Sequence, residues 1–178
     1  MAKYQNNKIG ILGGSFDPAH KGHLAITRIS IKKLKLNKIY WVVAKKNPFK
    51  KDPLYSLNKR MSQAKKIIKN NRKIKIVYLE DIVKSSRSID AIKYILRKDK
   101  PKNLYFIVGS DILLEFHKWK SWKKIVKLAK LIVFSRKGYD KKSTKTIVAK
   151  HLNNNINFIR IRPIQISSTI LRKKSMSY

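Results

Sequence analysis

The residues from Gly13 to His23 combine a glycine turn, two histidines and a helix start within one short stretch. The run from Lys8 to Leu12 before them is mostly apolar and predicts a short buried strand, and apolar residues recur at helical spacing from Leu24 to Leu34. Where a strand, a loop and a helix follow one another, unpaired backbone N–H groups and the positive end of the helix dipole face an incoming anion, and glycine lets the backbone approach it closely. Because His20 and His23 lie three positions apart and can reach the same phosphates, this stretch predicts a triphosphate site.

The spacing of this loop differs from that of two other phosphate loops, G-x-x-x-x-G-K-[ST] and G-x-G-x-x-G. It resembles instead the G-[ST]-F-D-P-x-H-x-G-H motif of the H-x-G-H nucleotidyltransferases, which transfer a nucleotidyl group and release pyrophosphate. The resemblance implies that His20 and His23 are catalytic and that five other residues bind ATP: Gly13, Gly14, Ser15, Phe16 and Gly22. Asp17 either orders the loop or approaches a metal ion, and we favour the ordering role. The alternative for the whole stretch is a tight turn followed by two surface histidines.

A second motif lies far along the chain, at Ile166-Ser167-Ser168-Thr169-Ile170-Leu171-Arg172. Its hydroxyls would lie in the first turn of a helix, with Arg172 reaching back. The same superfamily carries a similar I-S-[ST]-T-x-x-R motif, which implies that four residues hold the β- and γ-phosphates of ATP: Ser167, Ser168, Thr169 and Arg172. Alone the motif would fit an ordinary capped helix, but together with the first motif it predicts the other half of a divided triphosphate site.

Three stretches between these motifs narrow the resemblance to one family: Val108 to Asp111, Phe116 to Trp122, and Leu131 to Tyr139. They resemble the G-x-D, tryptophan-bearing and S/R-R-x-G-Y segments of the bacterial nicotinate-nucleotide adenylyltransferases, which join nicotinate mononucleotide to the AMP of ATP. The related pantetheine-phosphate adenylyltransferases share the two phosphate motifs. They usually have threonine where His20 stands and lack the tryptophan segment, so they are the second choice.

The resemblance implies further site residues. Gly109 and Asp111 would bind ATP, with Asp111 on a ribose hydroxyl, and the alternative for Asp111 is an N-cap of a helix over Ile112 to Phe116. Trp119 would stack on the nicotinate ring, because an aromatic plane suits a flat heterocycle. The full set implied for nicotinate mononucleotide is Ser15, Lys45, Asn47, Lys50, Arg87, Ser88, Trp119 and Arg136.

The chain departs from the family at two of these places. Arg87 stands where the family usually has tyrosine, and it either attracts the nicotinate carboxylate or points into water. The loop from Lys45 to Lys50 matches the position of the substrate-covering loop of the family but is unusually basic.

Short apolar runs alternate with helical patterns along the chain. After the first strand they are Ile39–Val43, Ile74–Leu79, Leu104–Val108, Leu131–Phe134 and Ile156–Ile159. Helices are predicted over Leu57–Lys69 and Ser88–Leu96, the second with Ser88 as its N-cap. This alternation predicts an α/β fold, a single Rossmann-like domain with a mostly parallel central sheet and helices on both faces. Ligands of such sheets bind beyond the carboxyl ends of the strands, where loop 13–18 would lie.

Composition narrows the possible functions. A length of 178 residues predicts one domain over 1–178, with a short C-terminal helix from about residue 167. The absence of cysteine excludes disulfides, thiolate metal sites and a cysteine nucleophile. No apolar run approaches the ~20 residues of a membrane span, and we expect a soluble cytoplasmic protein without a membrane partner.

The formal net charge of +35 predicts adhesion to polyanions that is lost at high salt. The basic residues are dispersed among abundant isoleucine and asparagine, with no basic motif that carries stacking aromatics, so a compositional origin is favoured over a specific nucleic-acid surface. A basic RNA-binding protein with a vestigial nucleotide site remains the non-enzymatic alternative.

The expected reaction is an in-line attack by the 5′-phosphate of nicotinate mononucleotide on the α-phosphorus of ATP, without a covalent enzyme intermediate. The expected partners are therefore ATP and nicotinate mononucleotide. Mg²⁺ is expected to bind mainly through the ATP phosphates and water, since the sequence offers no dedicated set of carboxylate ligands.

Overall fold

A central sheet of six strands organises the fold. A computed structural model describes residues 7–47, 51–161 and 168–175. The strands are β1 Lys8–Gly14, β2 Lys38–Val43, β3 Ile74–Val77, β4 Asn103–Gly109, β5 Lys130–Phe134 and β6 Asn157–Ile159. All neighbouring strands run parallel, in the order β3-β2-β1-β4-β5-β6. The predicted α/β fold with a parallel central sheet is therefore confirmed.

Helices cover both faces of this sheet, as predicted. Those described are α1 Lys21–Leu34, α2 Leu57–Ile68, α3 Glu80–Val83, α4 Ser88–Asp99, α5 Ser110–Leu113, α6 Trp122–Leu128, α7 Asp140–Ser143, α8 Ile147–Leu152 and α9 Ser168–Ser175. Helices α1 and α2 pack on one face, and α4, α6 and α8 pack on the other. Within the described ranges, no helix is both long enough and apolar enough to cross a bilayer.

The strands are buried on both faces, which explains their nearly continuous apolar sequences. In β1, Ile9 and Ile11 face the core under α4, whereas Leu12 faces the core under α1. Ile92 and Ile95 of α4 are fully buried against the first of these cores. Burial of each such side chain contributes about 1.5–3 kcal/mol to the free energy of unfolding. The two cores therefore anchor the strands between the two layers of helices.

Three predicted boundaries are wrong. Helix α4 ends at Asp99 and not at Leu96. Strand β3 ends at Val77 and not at Leu79, because Leu79 is the N-cap residue of the short helix α3. Ser88 is the first residue of α4 and not its cap. The polar contact at this helix start is made by Ser85, whose Oγ accepts the N–H of Arg87 at 3.2 Å and donates to Asp90 at 2.7 Å.

The strand order reverses between β1 and β4, because the chain continues from β1 to β2 on one side and reaches β4 on the other. In open parallel sheets, ligands bind in the crevice at the carboxyl ends of the strands at such a reversal. The register pairs Gly14 with Val43 and Gly109 with Phe134, so four strands end at nearly the same level. The loops that follow these strands therefore lie side by side.

Candidate active site

A cavity of about 1480 Å³ lies at the carboxyl ends of the central strands. Residues that follow three different strands line it, including Ser15, Asp111 and Arg136. Because a site for one small ligand typically measures about 300–1,000 Å³, this cavity has room for two nucleotides side by side.

The loop after β1 is open to this cavity at its glycines. A Cβ atom added to Gly13 would meet no heavy atom within 4 Å, and one added to Gly14 would lie 3.5 Å from the ring of Phe16. Phe16 has a left-handed backbone with φ 48°, which costs a non-glycine residue about 1–3 kcal/mol. Its ring is only 2% exposed and stacks on Trp41 with the centroids 4.9 Å apart, and this burial offsets the cost. The ring of Phe16 thus supports the phosphate loop from the core side.

The rings of the two histidines are in contact at the start of α1, with their centroids 3.9 Å apart and their planes tilted by 39°, and both line the cavity. His20 is the N-cap residue, and its Nδ1 accepts the N–H of Gly22 at 3.1 Å. The Nδ1 of His23 in turn accepts the N–H of His20 at 3.2 Å. Because Nδ1 is the acceptor in each ring, the proton of the neutral imidazole is on Nε2, where it can be donated to a ligand.

His20 is a neutral donor at physiological pH. Burial, and then the positive charge of Arg136, lower the pKa of His20 to about 4. The position of the ring at the positive end of α1 acts in the same direction. His20 can therefore polarise a phosphoryl oxygen as a neutral imidazole. Histidines with a lowered pKa polarise substrate oxygens in this way in other enzymes.

Asp17 orders the loop, as predicted. Its carboxylate is buried and accepts the N–H groups of Leu54 at 2.9 Å and Tyr55 at 3.0 Å. The guanidinium of Arg172 lies 3.3 Å from the same carboxylate. Asp17 thus connects the phosphate loop with the segment before α2 and with the last helix.

The N-terminus of α9 contacts the phosphate loop directly. Ser168 Oγ donates to the carbonyl of Pro18 at 2.9 Å, and Arg172 Nη1 donates to the carbonyl of Asp17 at 2.7 Å. Arg172 Nη2 also lies 3.2 Å from Thr169 Oγ1. Ser168, Thr169 and Arg172 all line the cavity, so the structure brings the two predicted phosphate motifs together.

Asp111 and Arg136 form an ion pair at the ends of β4 and β5. Arg136 Nη1 donates to Asp111 Oδ2 at 2.5 Å. The N-cap of α5 is Gly109, so the alternative role of Asp111 as a helix cap is wrong. A Cβ atom on Gly109 would contact the Asp111 carboxylate too closely, so a side chain there would displace Asp111 from its present position. Ser110 Oγ donates to Asp140 and accepts the N–H of Arg136, both at 2.9 Å, and so holds the loop after β5 in place.

Trp119 lies at the edge of the core and at the wall of the cavity. Its ring is 5.0 Å from Phe116 and 6.2 Å from Phe106, measured between centroids. Two other residues predicted for the acceptor, Arg87 and Ser88, border the cavity at the start of α4, where Arg87 is exposed.

The loop after β2 presents Lys46, which was not predicted, to the cavity in place of the predicted Lys45. Lys45 does not line the cavity, and its N–H donates to Glu80 Oε1 at 2.8 Å. Lys46 and Asn47 do line it, and Lys46 forms an exposed ion pair with Asp52 at 2.6 Å. Two predicted residues, Lys50 and Ser167, lie outside the described residues.

Arg60 is an important residue that the sequence analysis missed. It is only 2% exposed, and its guanidinium donates to the carbonyl of Ser15 in the phosphate loop at 2.6 Å. A clue was available, because Arg60 falls at helical spacing between Leu57 and Ala64 on the buried side of α2.

The acidic side chains that border the cavity already have protein partners, namely Asp17, Asp52, Glu80 and Asp111. In the described part of the chain, no group of three or more acidic or histidine side chains is close enough to hold a metal ion.

The fold and the meeting of the two predicted motifs at the cavity are those expected for a nucleotidyltransferase, and comparison with known proteins shows this class. Residues 11–174 match the family model described as cytidylyltransferase-like. The chain is 47% identical to the "Probable nicotinate-nucleotide adenylyltransferase" of Pelagibacter ubique, over 97% of this chain and 99% of that protein. It is 37% identical to the protein of the same name from Clostridium acetobutylicum, over 94% and 86% of the two chains.

The chain therefore belongs to the nicotinate-nucleotide adenylyltransferase family, within the cytidylyltransferase-like nucleotidyltransferases. Its fold is similar to that of Plasmodium falciparum nicotinic acid mononucleotide adenylyltransferase complexed with NaAD, with a TM-score of 0.73 at 23% identity over 94% of this chain and 83% of that one. The predicted family and the predicted class of enzyme are confirmed.

Proposed function

We propose that this protein transfers the AMP moiety of ATP to nicotinate mononucleotide, giving deamido-NAD and pyrophosphate in NAD biosynthesis. One observation carries the proposal. Two phosphate motifs 150 positions apart meet through the hydrogen bond from Ser168 to Pro18, at a cavity of about 1480 Å³ that can hold both substrates.

The triphosphate would lie between the N-terminus of α1 and the N-terminus of α9. The N–H groups and the positive dipole end of α1 favour an anion there. Thr169 would contribute a hydroxyl, and Arg172, held by Asp17, would add a positive charge. The ribose of ATP would bind to Asp111, which lines the cavity beside Gly109.

The chemical step is an in-line displacement at the α-phosphorus. A new P–O bond forms with the 5′-phosphate oxygen of the acceptor, and the bond to the pyrophosphate oxygen breaks. The attacking phosphate is already an anion, so no general base is required, and catalysis comes from positioning and charge neutralisation. His20 and His23 would donate from Nε2 to the α-phosphoryl oxygens as negative charge builds there.

The nicotinate mononucleotide would occupy the side of the cavity bounded by Trp119, Arg136 and the start of α4. Trp119 has a face supported by Phe116 and can stack on the pyridine ring. Arg87 and Arg136 carry positive charge on this side, which complements the carboxylate and the phosphate of the acceptor.

Mg²⁺ would enter with ATP and neutralise the leaving pyrophosphate. Phosphate oxygens and water would supply most of its ligands, because the acidic side chains around the cavity are engaged with protein donors. We propose a cytoplasmic reaction, because ATP is available there, with nucleotides and not a specific nucleic acid as the partners.

The test is to incubate the protein with ATP, Mg²⁺ and one acceptor at a time, and to identify the product by mass spectrometry. We expect nicotinate mononucleotide to be converted to deamido-NAD much faster than nicotinamide mononucleotide or pantetheine phosphate is converted to its own adenylylated product. Faster turnover of either alternative acceptor would replace the proposed substrate. RNA binding that survives physiological salt, without pyrophosphate release, would contradict the enzymatic assignment.

A further inference from the structure

Arg60 of α2 is a buried cation whose partners are neutral. It is 2% exposed, and none of the ion pairs found among the described residues includes it. Burial lowers the pKa of Arg60, while the negative charges of Asp17 and Glu80 oppose this effect from a distance. An arginine in such surroundings is costly unless nearly all of its N–H groups find acceptors.

Four main-chain carbonyls supply those acceptors. Nη1 donates to Ser15 at 2.6 Å and to Ala44 at 2.7 Å, Nη2 donates to Lys45 at 3.0 Å, and Nε donates to Tyr55 at 3.0 Å. Because the guanidinium is planar and rigid, it sets the distances among these carbonyls.

The four carbonyls belong to three separate segments at the cavity. Ser15 follows β1 in the phosphate loop, Ala44 and Lys45 follow β2, and Tyr55 precedes α2. Other contacts hold the same segments. The N–H of Ala44 donates to the carbonyl of Gly14 at 2.9 Å, that of Lys45 donates to Glu80, and that of Tyr55 donates to Asp17. Arg60 is the one side chain described here that joins all three segments.

We infer that Arg60 is a positioning residue for the adenylyl transfer proposed above, on which this inference rests. It acts through the Ser15 carbonyl on the loop after β1, and through Ala44, Lys45 and Tyr55 on the segments after β2 and before α2, of which Ala44 itself lines the cavity. It lies behind the cavity and is not among the residues that line it. Its loss therefore shifts the two substrates relative to each other without removing a contact to either.

The test compares Arg60→Ala and Arg60→Lys with Tyr40→Phe. The Tyr40 hydroxyl donates to Asp99 at 2.6 Å in a partly buried network away from the cavity, so Tyr40→Phe controls for lost stability alone. Rates are measured below the unfolding temperature of every variant, with ATP and nicotinate mononucleotide varied separately. Because a displacement of reacting groups by about 1 Å can lower the reaction rate about 10²-fold, we expect Arg60→Ala to lower kcat by at least tenfold. Arg60→Lys should recover part of the loss, and Tyr40→Phe should keep the wild-type kcat.

Chemical rescue separates positioning from stability. Guanidinium at a non-denaturing concentration should enter the cavity left by Arg60→Ala and raise its kcat, while it leaves the kcat of Tyr40→Phe unchanged. A folded Arg60→Ala with wild-type kcat and KM overturns the inference. So does the failure of both Arg60 variants to fold, since Arg60 would then be required for the fold.

The wild-type protein in the same assay tests the proposed function separately. If the wild type makes no deamido-NAD, the proposed function fails, and the inference is judged on calorimetric binding of ATP. Weaker ATP binding by folded Arg60→Lys than by Tyr40→Phe would support it, and equal binding would overturn it.

Discussion

The guanidinium of Arg136 lies 2.5 Å from the carboxylate of Asp111, at the rim of the cavity. Sequence reasoning assigned Asp111 to ATP and Arg136 to the acceptor, so this ion pair joins the two proposed binding regions. Arg136 also contributes to the lowered pKa of His20. One arginine therefore contacts or influences residues of the proposed acceptor site, the proposed ATP site and the histidine proposed to be catalytic.

Replacing Arg136 with methionine should affect substrate use more than stability. Its side chain is 47% exposed, and an ion pair of this kind contributes no more than about 1 kcal/mol to folding. We expect the KM for nicotinate mononucleotide to rise and the KM for ATP to change less. Steady-state kinetics and urea unfolding check both expectations. A larger effect on the KM for ATP would place Arg136 in the ATP site.

Replacing His23 with alanine should lower kcat by about 10²–10³, the usual cost of losing one donor to a developing oxyanion. Pyrophosphate release is the measurement, with folding checked by circular dichroism. His151→Ala is the matched control, because His151 is exposed and contacts only the edge of Trp122 among the ring contacts described. Equal rates for the two variants would remove His23 from the mechanism.

The lowered pKa of His20 predicts a loss of stability in acid. The folded protein holds this proton with a pKa of about 4, whereas the unfolded chain binds it near 6.5. Unfolding therefore takes up a proton between these values, and the contribution of His20 to the free energy of unfolding is present above about pH 6.5 and is lost as the pH falls toward 4.

The variant for this test is His20→Asn, because asparagine also caps helices but does not titrate. As the pH falls from 7 to 4, the wild type should lose up to about 3 kcal/mol more stability than the variant. Urea unfolding across this range gives the difference. Parallel pH profiles would show that the pKa of His20 is not lowered.

Asp17 should contribute far more to stability than an exposed aspartate in a similar ion pair. Removing one partner of a buried charge pair typically costs about 3–5 kcal/mol. We expect a loss of this size for Asp17→Ala, whose side chain is 3% exposed, and under about 1 kcal/mol for Asp52→Ala, whose side chain is 70% exposed. Urea unfolding of both variants makes the comparison. Similar losses would mean that the contacts of Asp17 are exchanged for water at little cost.

The sequence predicted the sheet and both phosphate motifs because these features are local. Apolar runs such as Leu104–Val108 identify buried strands by themselves, and the glycines and histidines of loop 13–23 lie close together in the chain. The boundary at Ser88 was missed because Ser85, three positions earlier, makes the polar contacts at that helix start.

Arg60 could not be assigned a role in this way. Its partners are carbonyls, which every residue has, and one of them is 45 positions away. The ion pair of Asp111 with Arg136 spans 25 positions and depends on the alignment of β4 with β5, which the sequence pattern does not specify.

The hydrogen bond from Arg172 to the carbonyl of Asp17 joins residues 155 positions apart. Contacts between residues so far apart in the chain form slowly, because the entropy of closing a large loop is lost before the contacts contribute any stabilising free energy. The proposed ATP site should therefore be among the last parts of the protein to assemble. An amino-terminal segment that ends before α9 contains the whole sheet and the first proposed phosphate loop, but it lacks the residues proposed to hold the rest of the triphosphate. Catalysis would therefore begin only after the end of the chain has been synthesised and has docked on the loop.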